Sequence, residues 1–309
     1  IAVEKTIVVT ELAVGKLKRP ARKLKRLWHV FGPGLTTGAA DDDPSGIATY
    51  SQTGAQFGFQ FLWLSIATFP MMAVVQEMCA RIGMATGRGL AANIKRVFPR
   101  PVLLTLTFLL AFANTINIGA DLGAMAKATQ LVVPALPFFP LVAVFALFSL
   151  GLQIFVSYRA YAKYLKWMSC ILIAYILTAF VIPNLDWSAV ASAVAHPQLG
   201  LSRDALLIVT AVLGTTISPY LFFWQTSQEV EEEISIGKVT LKERLVKTTK
   251  KEIKKMRIDI FSGMFVSNLV MFFIIAACAV TLFPAGINNI SSAADAALAL
   301  KPFAGNFAF

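Results

Sequence analysis

A chain of 309 residues with 57% hydrophobic and 15% charged content is too apolar for a soluble domain and reads as a polytopic, all-α membrane protein. Its net charge of +11 would suggest a nucleic-acid partner in a soluble protein, but the basic residues fall between apolar stretches, which excludes nucleic acid and leaves the lipid bilayer. Cys79, Cys170 and Cys278 lie in apolar segments without C-x-x-C spacing, so they read as small packing residues and not as a disulfide framework or a thiolate metal site.

Residues 1–30 are a basic segment, with KLKRPARKLKR at Lys16–Arg26, and no short h-region with a cleavage site follows it. A membrane span needs roughly 20 apolar residues. Seven such spans are predicted, at 31–53, 60–84, 101–126, 139–157, 161–183, 205–227 and 258–283. An eighth apolar segment begins near Leu300, where the sequence stops, which reads as a truncated chain. With a cytoplasmic N-terminus, 25 of the 28 Lys and Arg residues fall inside and only Lys127, Arg203 and Lys301 outside. The positive-inside rule therefore predicts a multi-pass cell-membrane protein with its N-terminus in the cytoplasm.

The first span contains GAADDDPSGIAT, Gly38–Thr49, with three carboxylates and a Pro-Ser-Gly breaker. Intramembrane carboxylates are costly, and irregular backbone survives at that depth only where it lines a site or water. Asp43, directly before Pro44, is the expected charged ligand of a cation; Gly46 permits unusual dihedrals. Asp41 and Asp42 either add to the negative field or supply the helix cap. Adjacent helical residues point in different directions, so at most one or two of the three carboxylates face one ion. In the second span, Glu77 and Arg81 are spaced for an i,i+4 ion pair. The third span offers Asn117 and Asp121; the latter is expected either to serve a proton relay or to hydrogen-bond Asn114 or Asn117.

The sixth span repeats the theme with TTISPY, Thr215–Tyr220, about 175 residues after the first break. Pro219 frees the Thr215 carbonyl, and the hydroxyls of Thr215, Thr216 and Ser218 are further hard-oxygen donors. Single hydroxyls ordinarily bond back to their own helix, but their clustering here points to a site. Polar residues 228–258 follow as a cytoplasmic loop, read as a solvated connector or, from the near-helical spacing of Leu241, Leu245, Val246, Ile253 and Met256, as an amphipathic helix.

Five spans separate the start of the first broken helix from the start of the second, so the second unit enters the membrane from the opposite side. This predicts an inverted-repeat (5+5) transporter fold with discontinuous helices 1 and 6. Residues 31–183 form the first repeat, and residues 204–309 form part of the second.

Together, G-P-G at Gly32–Gly34, D-P-S-G at Asp43–Gly46 and G-T-T-I-S-P-Y at Gly214–Tyr220 resemble the NRAMP family of divalent metal transporters, as do Gln76 and Asn268. The resemblance covers essentially the whole chain and implies a fold of about eleven helices, of which this sequence holds the first seven. It also implies that Asp43 is the metal-binding Asp and that the Thr215 carbonyl contacts metal. Two positions depart from the family pattern: Gly46 stands where the family has its ligand Asn, and Ser218 where it has Met. A thioether favours transition metals while hard oxygens suit Mg²⁺, which keeps several waters and wants a roomy site. Both changes are similar to those of the NRAMP-related magnesium transporters. Proton-coupled members carry histidines where this chain has Tyr220 and Gln225, and an acidic pair where it has Asn117 and Ala120.

The expected function is import of Mg²⁺, partly hydrated, and also of Mn²⁺, by alternating access without proton coupling. The ion is substrate, and no cofactor is expected. The alternatives are a proton-coupled Mn²⁺ or Fe²⁺ importer and, from another class, a cation-sensing membrane protein. No nucleophile–base pair or phosphate loop is visible, so an enzyme is not expected. The oligomeric state is open.

Overall fold

The computed structural model describes residues 32–182, 185–245, 248–290, 292 and 295–297. The basic segment 1–30 and the apolar stretch from Leu300 lie outside the described residues. Every regular element among the described residues is helical.

The first expected span is two half-helices, α1 (Pro33–Asp41) and α2 (Pro44–Phe57). Next come α3 (Leu64–Thr86), the short α4 (Leu90–Val97), α5 (Arg100–Val132) and α6 (Phe138–Phe155). The fifth expected span comprises α7 (Tyr158–Met168), a 3₁₀ turn at Ser169–Leu172, and α8 (Ile173–Val181). After α9 (Trp187–Ala195), the sixth is again two half-helices, α10 (Arg203–Thr216) and α11 (Pro219–Ser235). The one-turn α12 (Leu241–Arg244) leads to α13 (Lys250–Thr281).

Among the described residues, four helical stretches, 100–132, 138–155, 203–235 and 250–281, are long and apolar enough to cross a membrane. The other three expected spans fall on α1–α2, α3 and α7–α8. The first and last of these are interrupted, and α3 carries Glu77 and Arg81 near its end.

The breaks have a covalent cause. Pro33, Pro44 and Pro219 each occupy the first turn of a half-helix, where a missing N–H costs nothing and the fixed φ is already helical. Pro44 and Pro219 also bar the half-helix before them from continuing.

Among the described residues, the polar stretch 228–258 does not form a separate amphipathic helix. α11 runs on to Ser235, α12 is four residues long, and α13 already starts at Lys250. Glu, Gln and Lys are good helix formers, so a spanning helix continues into water until a capping signal ends it. Two capping boxes, Thr240 with Glu243 and Thr249 with Glu252, set the starts of α12 and α13.

α13 is the centre of the packing, against α1, α2, α3 and α8. Glycines let it touch α1 backbone to backbone. A Cβ on Gly263 would lie 2.1 Å from the Gly34 carbonyl oxygen, and one on Gly38 would lie 2.4 Å from that of Gly263. Small residues at such spacing are what allow close helix association in lipid, where burying apolar surface gives little net drive. Around this seam Tyr50, Phe61, Leu62, Met271 and Ile275 form one apolar cluster, and Met72, Leu221 and Met264 another. By contrast α5 and α6 pair as a hairpin whose side chains are largely exposed.

Glu77 meets Arg81 as spaced, and also Arg257 of α13 through Nη2 at 2.8 Å, so the expected local pair ties two helices together. Cys79 and Cys278 are buried, as small packing residues should be, whereas Cys170 is exposed.

Candidate functional site

α1 ends at Asp41, and the chain turns through Asp42 (φ −84°, ψ 48°) and the extended Asp43 before α2 begins. Asp43, not Asp41 or Asp42, is the N-cap: its Oδ1 accepts from the Gly46 N–H at 2.8 Å and the Ser45 hydroxyl at 2.6 Å. Its Oδ2 accepts from two distant donors, Asn117 Nδ2 of α5 and the Tyr220 hydroxyl of α11, each at 3.1 Å. One carboxylate therefore joins three helices, and Tyr220 carries the link from the first break to the second.

Asp41 and Asp42 point elsewhere, as adjacent residues must. Asp41 is fully buried and its Oδ2 accepts from the Ser267 hydroxyl at 2.9 Å, while its Oδ1 has no partner among the described residues. Asp42 is 5% exposed and neither oxygen has one. Among the described residues, no group of three or more His, Cys, Asp or Glu side chains converges to hold a metal. A metal beside Asp43 would have to complete its shell from carbonyls, hydroxyls and water.

The second break supplies those oxygens, though not all as expected. Pro219 leaves the Thr215 carbonyl without its helical partner, and the Ser218 hydroxyl takes that place at 2.7 Å while also reaching the Gly214 carbonyl at 2.9 Å. The Thr215 carbonyl is thus occupied at one lone pair and available at the other. Ser218 and Thr215 both line a cavity of about 570 Å³, together with Ser45, Asn114, Asn117 and Tyr220. The Thr216 hydroxyl faces away from that cavity, pairing at 3.2 Å with the buried Tyr50 hydroxyl. Gly46 lines no open space either: a Cβ there would meet the Asp41 carbonyl at 3.0 Å and the Tyr50 ring at 3.4 Å.

A second cavity, of about 590 Å³, reaches Pro44 and Ser45 past Thr49, Gln52 and Lys127. Ser45 lines both cavities, so open space meets Asp43's own turn from two directions. Asp121 lies one helical turn beyond Asn117, half-buried, with its Oδ1 unpartnered among the described residues; Asn117 donates to Asp43 instead. Gln225 is buried six residues past Pro219, about 9 Å further along the helix, and donates to Glu229 Oε1 at 2.9 Å. In span seven, Asn268 accepts from the Thr68 hydroxyl at 2.7 Å, and Gln76 is buried with both amide atoms unpartnered among the described residues.

Three contributors escaped the sequence reading: Tyr50, Ser267 and Asp259. Each pairs with a partner at least 166 residues away. Tyr50 reads as an apolar-face aromatic and Ser267 as an ordinary small residue of a packed helix. Asp259, at the edge of a charged stretch, carries no local signal at all.

The chain matches the family model described as natural resistance-associated macrophage protein-like over residues 34–309. It is 28% identical over 300 residues to the divalent metal cation transporter MntH of Pectobacterium carotovorum, covering 94% of this chain and 67% of that protein. It is 27% identical over 317 residues to MntH of Yersinia pestis, covering 96% and 69%. Among solved structures, a mutant of the Eremococcus coleocola manganese transporter superposes with a TM-score of 0.64 at 16% identity, over 90% of this chain and 56% of that one. The same transporter with an aromatic bis-isothiourea compound gives a TM-score of 0.60 at 18% identity, over 82% and 52%. At those identities the likeness establishes the fold, and the chain spans about half the length of the solved transporters it matches.

Proposed function

This chain belongs to the natural resistance-associated macrophage protein family, and we propose that it carries a divalent cation, Mg²⁺ foremost and Mn²⁺ as well, by alternating access without proton coupling. The observation that carries this reading is the donor set around Asp43. Its carboxylate is held by an amide, a phenol, a hydroxyl and a backbone N–H, none of which titrates near neutral pH. The cavity beside it is lined by hydroxyls, side-chain amides and apolar carbons, with no thioether or imidazole among the described residues. That chemistry suits a hard cation and offers a soft transition metal no advantage.

Size supports the hydrated form. Six waters at about 30 Å³ each need about 180 Å³, well within the cavity of about 570 Å³. An ion entering with part of its shell meets Thr215 and Ser218 along the cavity lining and Asp43, its one charged partner, behind Ser45, Asn117 and Tyr220, which line the cavity and donate to that carboxylate. Thr216 and Gly46 act behind the site, the first by anchoring Tyr50 and the second by letting α2 approach the Asp41 carbonyl.

These features align the chain with the NRAMP-related magnesium transporters. Residues 31–183 and 204–309 then act as the first repeat and part of the second, in a cell membrane with the N-terminus in the cytoplasm. The second reading, a proton-coupled Mn²⁺ or Fe²⁺ importer, draws on the manganese named for the solved relatives and on the unpartnered Asp121 oxygen. Uptake of Mg²⁺ into proteoliposomes tests the proposal. Saturable entry that disappears in Asp43→Ala supports it; no Mg²⁺ entry alongside robust Mn²⁺ entry sinks it.

A further inference from the structure

α1 is a rod of nine residues, about 13 Å long, and its two ends meet different spaces. Its C-terminal end runs into the Asp43 turn, beyond which Ser45 lines the two large cavities. Its N-terminal end borders a separate cavity of about 110 Å³, lined by Gly32, Pro33, Glu229, Glu233, Lys238 and Asp259. Between them the rod lies in backbone contact with α13 through Gly34, Gly38 and Gly263, which leaves no room for an ion.

The N-terminal end is held in an unusual way. Gly32, the N-cap, has no side chain with which to satisfy the first turn, and Pro33 has no N–H. The free donors go to one carboxylate on another helix. Asp259, 2% exposed, accepts from the N–H groups of Gly32 at 2.7 Å, Gly34 at 2.8 Å and Leu35 at 3.2 Å. A negative charge at a helix N-terminus is favoured by the macrodipole as well as by the hydrogen bonds. At its other end α1 joins α2 only through the non-helical Asp42 and Asp43, a ready hinge. The rod is therefore hinged at the site and clasped at its far end.

We infer that Asp259 is a positioning residue, the latch that holds α1 shut between the Asp43 site and the acidic cavity at its N-terminus. Release of the three N–H groups lets α1 swing on the Asp42–Asp43 hinge and opens a path toward Glu229 and Glu233. Those carboxylates are buried at one-turn spacing on α11. Lys238 Nζ holds Glu233 Oε1 at 3.0 Å and Gln225 donates to Glu229 Oε1, which leaves Glu233 Oε2, without a partner among the described residues, to attract an outgoing cation. The inference rests on the proposed transport, yet its test does not need an ion to move.

Ser45, which lines both large cavities, is replaced by cysteine (S45C) in a C170S background, and a membrane-impermeant maleimide is added to the reconstituted protein from either side. With Asp259 intact, labelling is expected at least tenfold faster from the Lys127 side than from the Glu233 side. In D259N and D259A, Glu233-side labelling rises at least tenfold and Lys127-side labelling falls. G32A keeps the charge but places a Cβ 3.3 Å from Asp259 Oδ2, and should shift labelling the same way; it decides the matter if the Asp259 variants do not fold. Glu233-side labelling unchanged in the folded variants overturns the latch. A protein that passes this test and still carries no Mg²⁺ overturns the proposed substrate instead.

Discussion

Tyr220→Phe removes one hydroxyl from the site and leaves the ring in place. The Asp43 carboxylate now has four donors, two on each oxygen, and Tyr220 supplies one of those on Oδ2 at 3.1 Å. A hydrogen bond to a charged group contributes about 1.5–3 kcal/mol. Three donors remain in the variant, enough to keep the carboxylate oriented, while Oδ2 gains a lone pair facing the cavity. A cation can then bind that oxygen directly if it will give up a water to do so. Mg²⁺ dehydrates reluctantly and gains little. Mn²⁺ exchanges water for carboxylate more readily, and recovering about 1.4 kcal/mol of the lost bond as metal ligation tightens it about tenfold. Competition by Mn²⁺ against Mg²⁺ uptake in proteoliposomes reads the ratio. Equal gains for both ions, or weaker Mn²⁺ competition, would refute the view that Asp43's donors keep the ion at the distance of a water.

Ser218→Met places a thioether on the wall shared with the Thr215 carbonyl and removes the hydroxyl that occupies that carbonyl; Mn²⁺ should gain on Mg²⁺ about tenfold, on the order of 1.4 kcal/mol, in the same competition assay. Gly263→Ala drives a Cβ to 2.1 Å from the Gly34 oxygen, so α1 and α13 must part; overpacking of this kind costs about 1–3 kcal/mol, read as a lower Tm in detergent. Thr249→Ala removes the cap of α13, whose N–H donor is Glu252; a loss of about 1 kcal/mol is expected in the same melt. The Glu252 carboxyl, held below its usual range by the Thr249 backbone N–H and hydroxyl, contributes stability that is present at neutral pH. That contribution disappears as pH falls through the lowered folded value, so the Thr249→Ala defect should shrink in acid, as a pH series of melts would show.

Much of this site is legible in the sequence because lipid penalises its parts. Asp43–Pro44 and Ser218–Pro219 stand out since neither a carboxylate nor a broken ladder is tolerated in an apolar span without a purpose. Their separation in the chain also places them in opposed repeats. What stayed hidden was which partner each group finds. Asp41 and Asp42 are the expected caps, because capping and metal binding compete for one carboxylate on paper; in the fold, Asp43 caps with Oδ1 while Oδ2 accepts from Asn117 and Tyr220. Thr216 looked equivalent to Thr215, yet one residue of helix is about 100° of rotation, and it faces Tyr50 instead of the cavity. The Asp259 clasp joins residues up to 227 apart, beyond any local pattern. Helix ends in the 228–258 stretch were missed because hydropathy stops at the membrane surface while the hydrogen-bond ladder does not.

The most direct measurement is Mg²⁺ influx into proteoliposomes carrying one dye for Mg²⁺ and another for pH, under an imposed inside-negative potential. A potential of 100 mV contributes about 2.3 kcal/mol per charge, or about 4.6 kcal/mol for a divalent ion, enough to drive accumulation by roughly three decades with no second ion. The account predicts Mg²⁺ entry that rises with the potential while internal pH stays flat. Acidification in fixed proportion to metal entry would contradict it and make the chain a proton-coupled importer.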